Sequence, residues 1–364
     1  MKKQTALLWL KRALIIYITA TFIVATLNFG LQNVVSETQA DIIHEIYKIF
    51  ENEFKITLIL ICSYLSWQVL KGKPNRRLQK INLIAFSTTA LFVHGIIPWL
   101  LNNRELYYFF MPLPWSSMGL QLMDSTSTYY NQQVSLWGTT GIFIAVTFFL
   151  IANLLVLIGT LLIGRRWQCS YLCMLNGFVS EIWSDVFPLF GKKKKLSKGW
   201  LLFLKVFRWL MLVVSLLLTI WWAARLFGIP IRGNGEWLQE FETLKYVSLE
   251  LLMMMFLWVV WTGRGYCYYC PLGSFLSLIS RLAGQEIKTD NTHCINCGQC
   301  TKACPMEIDI AEAANEGKPV DNLRCVGCGH CIDICPTRTL SYETHFLKWW
   351  KSQKAEQVNN IHEN

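Results

Sequence analysis

Apolar stretches of membrane-spanning length recur along the chain, and six stand out: 13–31, 56–70, 81–101, 137–163, 200–224 and 246–262. A helix needs about 20 predominantly apolar residues to cross a hydrocarbon core. The second stretch is short, and Lys55 and Lys71 at its ends can snorkel to lengthen it. The first follows Lys2, Lys3, Lys11 and Arg12 with no small-residue cleavage signal after it, so it reads as an uncleaved anchor. Between the first two, residues 36–54 set Glu37, Asp41, Glu45, Glu51 and Glu53 against Ile42, Ile43, Ile46, Ile49 and Phe50. That spacing predicts an amphipathic connector helix lying on the outer surface.

Charge orients the spans. Lys71, Lys73, Arg76, Arg77 and Lys80 separate spans two and three; Arg165, Arg166, Lys192 to Lys195 and Lys198 separate four and five. The opposite loops hold little beyond Lys48, Arg104 and Arg232. Basic loops resist translocation, which predicts a multi-pass protein of a bacterial inner membrane with both termini and everything after residue 262 in the cytoplasm. With 16% charged residues the chain is too apolar for an ordinary soluble enzyme. Its net charge of +10 sits in these loops and forms no nucleic-acid stripe. The chain divides into 1–136 with three spans, 137–285 with three more, 286–345 and a tail, 346–364. Phe346, Trp349 and Trp350 among Lys348, Lys351 and Lys354 suit an interfacial anchor, with disorder expected beyond Gln357.

Cys62 aside, every cysteine lies after residue 168. Cys62 reads as a small apolar core residue. Cys294, Cys297, Cys300 and Cys304 are followed by Pro305, and Cys325, Cys328, Cys331 and Cys335 by Pro336. Each run is C-x2-C-x2-C-x3-C-P, the spacing of bacterial two-cluster ferredoxins, in which the fourth cysteine reaches the other cluster. The rule gives Cys294, Cys297, Cys300 and Cys335 to one [4Fe–4S] cluster and Cys325, Cys328, Cys331 and Cys304 to a second. A zinc reading of the C-x2-C pairs is disfavoured by the duplicated register and trailing prolines. His293 and His330 stand beside ligands, either as tuning donors or as surface residues. The fold class is therefore an α-helical membrane protein of about six spans with a C-terminal cytoplasmic α+β domain of the 2[4Fe–4S] ferredoxin kind.

A second set of thiols follows spans four and six. Gly164-Arg165-Arg166 precedes Cys169 and Cys173, and Gly263-Arg264 precedes Cys267, Cys270 and Pro271. Both even spans exit on the same side, so the pairs lie at one depth. They are candidates for a third metal centre or a redox-active dithiol, against the plainer reading of free structural thiols. Inside the spans, Glu250 and His94 are the ionisable groups to weigh for proton transfer, since such groups default to function in a membrane; alternatively Glu250 reaches the interface and His94 caps a neighbouring helix near Pro98.

The duplicated Gly-Arg…Cys-pair loops, the span number and the two trailing runs resemble the polytopic membrane ferredoxins of the NapH/NosR/MauN type, over roughly residues 130–345. The resemblance departs at Met174, where the family has proline, and at the shorter Cys267-x2-Cys270 gap. It implies a membrane electron-transfer component, short of a complete enzyme, that exchanges electrons between a quinol pool or donor and a respiratory or reductase partner protein. The alternative it carries is an assembly factor that reduces a metal or thiol for another metalloenzyme, with Cys169, Cys173, Cys267 and Cys270 as acceptor. Met111, Met118, Met123 and Met253 to Met255 would then be soft copper ligands, or simply packing residues. A redox-sensing role has the least support, for want of an output domain.

Overall fold

The computed structural model describes residues 3–31, 34–71, 73, 76–173, 175, 183–191, 195–231, 233 and 235–362. Lys2, Met174, Lys192 to Lys194 and Arg232 lie outside these. Among the described residues six helices are long and apolar enough to cross a membrane: α1 (Lys3–Leu31), α2 (Glu37–Lys71), α3 (Arg77–Leu100), α4 (Thr128–Ile163), α5 (Lys198–Leu226) and α6 (Glu236–Val260). Large side chains such as Ile16, Phe143, Leu154, Leu202, Leu217 and Phe256 are exposed on their outer faces, where lipid would cover them.

Two departures from the sequence reading matter for the site. Residues 36–54 are helical and largely exposed over their first part, but they are not a separate helix; they continue into the second span as one helix, α2. The reason is local pairing. Lys55 Nζ donates to Glu51 Oε2 at 2.6 Å, one helical turn apart, so the end of the stretch, with Phe50, Glu51 and Asn52, is buried, while Glu37, Asp41, Glu45 and Glu53 stay exposed. Likewise α6 begins at Glu236, ten residues before the apolar stretch, and brings Glu242 and Lys245 into the bundle. The α4 helix is broken at Gly138 (φ +66°), beside the Trp137 where the apolar run begins.

Four of these helices change pitch along their length, α1 at its end over Thr26–Leu31. Wide π-type turns occupy Phe50–Phe54 in α2, Phe92–Ile96 in α3 and Tyr246–Leu252 in α6, and carry Glu51, Asn52, His94 and Glu250. Such bulges leave a helix locally out of register and are frequent at functional sites.

Past α6, Cys270 caps a short amphipathic helix, α7 (Pro271–Leu282), whose Leu272 and Leu276 bury into the helical core while it packs on α4 and α5. The terminal domain has β1 (Glu286–Thr289), α8 (Gln299–Ala303), α9 (Ile310–Asn315), α10 (His330–Ile334) and β2 (Leu340–Glu343), then α11 (His345–His362). The strands pair antiparallel with Glu286 opposite Glu343. Helix α11 runs past residue 357, so the tail is helical where disorder was expected. The rings of Phe346, Trp349 and Trp350 lie within about 6 Å of one another along it.

Candidate functional site

The two cysteine runs fold alike because each needs backbone that turns left-handed twice. Asn296 (φ +49°) and Gly298 (φ +67°) do this in the first run, Gly327 (φ +65°) and Gly329 (φ +80°) in the second. Each second left-handed residue starts a short helix, α8 or α10, carrying Cys300 or Cys331. The last cysteine of each run then extends away, Cys304 at ψ 116° and Cys335 at ψ 117°. That extension crosses them over. One cavity is lined by Cys294, Cys297, Cys300 and Cys335, and another by Cys304, Cys325, Cys328 and Cys331. Among the described residues no three Cys, His, Asp or Glu close on a single ion. Quartets set around a cavity suit a larger inorganic body gripped at its corners.

The two cages differ in polarity. Burial pushes the Cys304 thiol up to about 11 and Cys331 well above the ordinary thiol range. At Cys335 burial acts the same way but is outweighed by the hydroxyls and amides of Thr339 and Thr337, leaving that thiol below its ordinary value. His293 is exposed and bonded to Thr292 and Asp290, whereas His330 is buried at the start of α10.

The domain is fastened to the helices by polar contacts. The Asp333 carboxylate accepts the amides of Leu78 and Gln79. Asn82 Nδ2 donates to Cys328 O at 2.8 Å, and Arg166 donates to Asn82 Oδ1 at 2.9 Å. The last carbonyls of α4, at Leu162 and Ile163, accept from the hydroxyls of Thr344 and Tyr342. Gln285 accepts the Arg165 amide at 2.7 Å and donates to Cys325 O at 3.1 Å.

The two Gly-Arg loops meet as their shared depth predicts. Gly159 lies where any side chain would strike the Trp167 indole, which lets the loop after α4 fold back on it. Arg165 and Arg264 are 1% and 0% exposed. Arg165 Nε donates to Cys169 Sγ at 3.3 Å; Arg264 donates to Cys267 Sγ at 3.9 Å and to Cys169 O at 3.2 Å. Cys270 Sγ accepts the Gly273 amide at the start of α7, and a Cβ on Gly273 would stand 2.5 Å from the Arg165 guanidinium. Cys169 and Cys267 belong to the same buried core as Cys304, Cys328 and Cys331. Cys62 is fully buried in the helical core.

At the opposite end of the bundle lies a cavity of about 270 Å³. Glu250, wholly buried, accepts from Trp115 Nε1 at 2.5 Å and from Lys245 Nζ at 2.6 Å. Glu242 accepts the Ser117 amide at 2.6 Å and Gln121 Nε2 at 3.0 Å. Facing these are buried oxygens of Asn28, Asn52, Gln121 and Gln133 with no hydrogen-bond partner. Orphaned polar atoms of this kind are rare in a settled core and suit a cavity that receives polar atoms from elsewhere. Trp115, Tyr107 and Tyr246 also wall a smaller cavity that holds His94 and reaches Gln168. His94 lies against the Tyr107 ring at 5.0 Å between centroids. Trp115 and Tyr266, one residue before Cys267, are 6.4 Å apart between centroids. The structure thus brings Glu250 into a cavity with partners that no local motif announces: Trp115, Lys245 and Glu242. Of the methionines, Met111 and Met118 line this cavity, while Met254 and Met255 are packed in the core.

Comparison with known proteins gives the same outline. Residues 286–336 match the 4Fe-4S dicluster domain family. The chain is 32% identical over 171 residues to the uncharacterized protein MJ0750 of Methanocaldococcus jannaschii, covering 46% of this chain and 70% of that one. It is 30% identical over 178 residues to MauN of Paracoccus denitrificans, named as a methylamine utilization ferredoxin-type protein (47% and 59% covered). YccM of Escherichia coli, named for electron transport, is 24% identical over 170 residues (44% and 47%). Against these last two the chain spans only about half of the relative's length. No solved structure matches.

Proposed function

Because the chain belongs to the ferredoxin-type membrane protein family that includes these relatives, we propose that it relays electrons between a quinol and a redox partner protein through two [4Fe–4S] clusters. The observation that carries this reading is the pair of crossed cysteine quartets, each around its own cavity and fastened to the membrane helices. Cys294, Cys297, Cys300 and Cys335 hold one cluster; Cys325, Cys328, Cys331 and Cys304 hold the other. When bound, each cubane supplies one-electron chemistry with little rearrangement of its surroundings. The chain's own residues do the rest. Val326, Met306 and Ile308 keep water from the second cage, while Thr337 and Thr339 bring polar hydrogens to Cys335 in the first.

The basic loops support a cytoplasmic side for this domain. The buried cavity then opens toward the other face, and its polar lining beside aromatic walls supports a quinol head group as occupant. Glu250 is the proton acceptor there, held by Trp115 and Lys245. His94 stands in the adjoining cavity as a second candidate.

The test is cluster reduction in full-length protein purified anaerobically and returned to lipid. Addition of a naphthoquinol or benzoquinol should bleach the iron–sulfur absorbance and raise reduced-cluster EPR signals. Reduction by dithionite with none by either quinol would end the quinol reading. Loss of the chain in cells separates relay from maturation: a relay mutant keeps its partner enzyme fully assembled, whereas accumulation of apo-enzyme identifies an assembly factor.

A further inference from the structure

Facing outward between α1 and α2 is a slot of about 530 Å³ whose walls include Trp9, Arg12, Ile15, Ile16, Ile61 and Tyr64. These six side chains are exposed, so in a membrane the slot belongs to lipid. The α1 helix starts at Lys3 and α2 ends at Lys71, and consecutive spans cross in opposite directions, so these two ends share one membrane face. At 1.5 Å per residue, Arg12 lies about 14 Å below one end and Tyr64 about 10 Å below the other. Ile15, Ile16 and Ile61 lie about one turn deeper. The slot is therefore polar toward the headgroups and apolar toward the bilayer centre, the order of groups along a phospholipid.

Arg12 is the single charge in its walls. Helical side chains lean toward the N-terminus, here toward the headgroups, and the Arg12 guanidinium accordingly lies over the ring of Trp9, one turn back, at 5.0 Å from the centroid. Among the described residues it meets no carboxylate. An ionised side chain facing lipid is costly without a counter-charge, so the group that Arg12 calls for is an anion at headgroup depth. The Tyr64 hydroxyl, on the facing helix, also has no hydrogen-bond partner among the described residues. The charges nearest in sequence to the slot, Lys3 and Lys11 on α1 and Lys71 at the end of α2, are all positive. A zwitterionic headgroup would bring its own cation into that field; an anionic one would not.

We propose that the slot between α1 and α2 holds one anionic phospholipid, its phosphate on Arg12 and Tyr64 and an acyl chain laid along Ile15, Ile16 and Ile61. The site shares no residue with the Glu250 cavity, and it stands whether or not a quinol binds there. A lipid seated in the slot covers apolar surface of both helices at once and so favours their pairing.

The experiment is native mass spectrometry of the full-length protein in detergent, offered phosphatidylglycerol, phosphatidylcholine with the same acyl chains, or menaquinone. One phosphatidylglycerol per chain should survive activation that strips phosphatidylcholine. A basic residue near the membrane surface changes the affinity for anionic lipid about fivefold. Arg12→Gln should therefore weaken phosphatidylglycerol binding by about that factor and leave phosphatidylcholine unchanged. Ile61→Trp, which fills the slot with Arg12 intact, should remove the retained lipid. Lys11→Gln, the same loss of charge outside the slot, should change binding little. Iron content reports that each variant has folded. Equal retention of the two phospholipids by wild type, menaquinone held in place of phospholipid, binding unmoved by Arg12→Gln and Ile61→Trp, or Lys11→Gln as damaging as Arg12→Gln would each overturn the proposal. If the slot variants lose their iron, the wild-type preference among the three lipids decides alone.

Discussion

Asp333, in the second cysteine run, accepts the backbone N–H of Gln79 at the start of a membrane helix, at 3.0 Å, with its other oxygen on Leu78. Among the described residues no side chain near Arg76 caps that helix, and the terminal domain supplies a cap in trans. Cap residues contribute about 0.5–2 kcal/mol when replaced by alanine. Asp333→Ala should loosen the docking by that amount and raise hydrogen exchange at 77–82, measured by mass spectrometry, with both clusters retained. Unchanged exchange there would mean the contact carries no docking energy.

Gly327 makes the second close joint. At φ +65° it favours glycine, and a Cβ would meet Arg166 Cβ at 2.7 Å and the Tyr342 ring at 3.0 Å. Gly327→Ala should cost about 1–3 kcal/mol through strain and overpacking. We expect a lower melting temperature and faster loss of iron on heating than in wild type, followed by absorbance.

The contrast between these joints and the cysteine runs explains what could be read from sequence. Cysteine spacing is local, so the runs from Cys294 to Cys335 stand out in the sequence, and two cavities are each lined by four of these cysteines. Apolar runs are local too, and the six spans are present. The cavity is different. Trp115, Glu242 and Glu250 come from separate segments, and the wide turns that aim Asn52, His94 and Glu250 inward have no residue signature. Within residues 36–54 the exposed acids Glu37, Asp41, Glu45 and Glu53 match the amphipathic pattern, and only Glu51, paired with Lys55 inside the bundle, departs from it. The Gly-Arg repeats were visible, but only the fold brings Arg165 and Arg264 against thiols.

The crossing of the fourth cysteines has its own signature. Cys304 belongs by sequence to the first run and by position to the second cage. Cys304→Ser should therefore remove about four irons and the EPR component tied to Cys325, Cys328 and Cys331, leaving the other signal intact. Substituting Cys335 should spare the opposite component. Loss of the same component in both variants would contradict the crossed arrangement.

Acid should release the loop at 101–127. Burial acts to raise the Asp124 carboxyl, but Thr126, through hydroxyl and amide, and Arg225 together hold it below the ordinary carboxylate value. Arg225 Nε stands 2.8 Å from Asp124 Oδ2. A depressed folded-state pKa means stabilisation that is complete above the unfolded value, about 3.9, and disappears as pH falls through the folded one. The contribution is within about 1 kcal/mol, as for a pair near the surface. Pepsin cleavage within the loop should rise between about pH 4 and pH 2 in wild type. In Asp124→Asn it should already be raised at about pH 4 and change less across the range.

Glu250 offers the sharpest separation of chemistry from structure. It is fully buried, and removing one member of a buried ion pair outright costs about 3–5 kcal/mol. Glu250→Gln is gentler, because the amide oxygen still accepts from Trp115 and Lys245 keeps Glu242 within electrostatic reach. The variant should fold, bind its iron and be reduced by dithionite at the wild-type rate. What it lacks is a carboxylate able to take a proton, and positioned proton transfer accounts for roughly 100-fold or more in rate. Quinol-driven cluster reduction should therefore fall by about two orders of magnitude, with His94→Ala as a parallel test of the adjoining cavity. Wild-type quinol rates in Glu250→Gln would move the proton acceptor elsewhere, and equal slowing with quinol and dithionite would show that the substitution had damaged the path to the clusters instead.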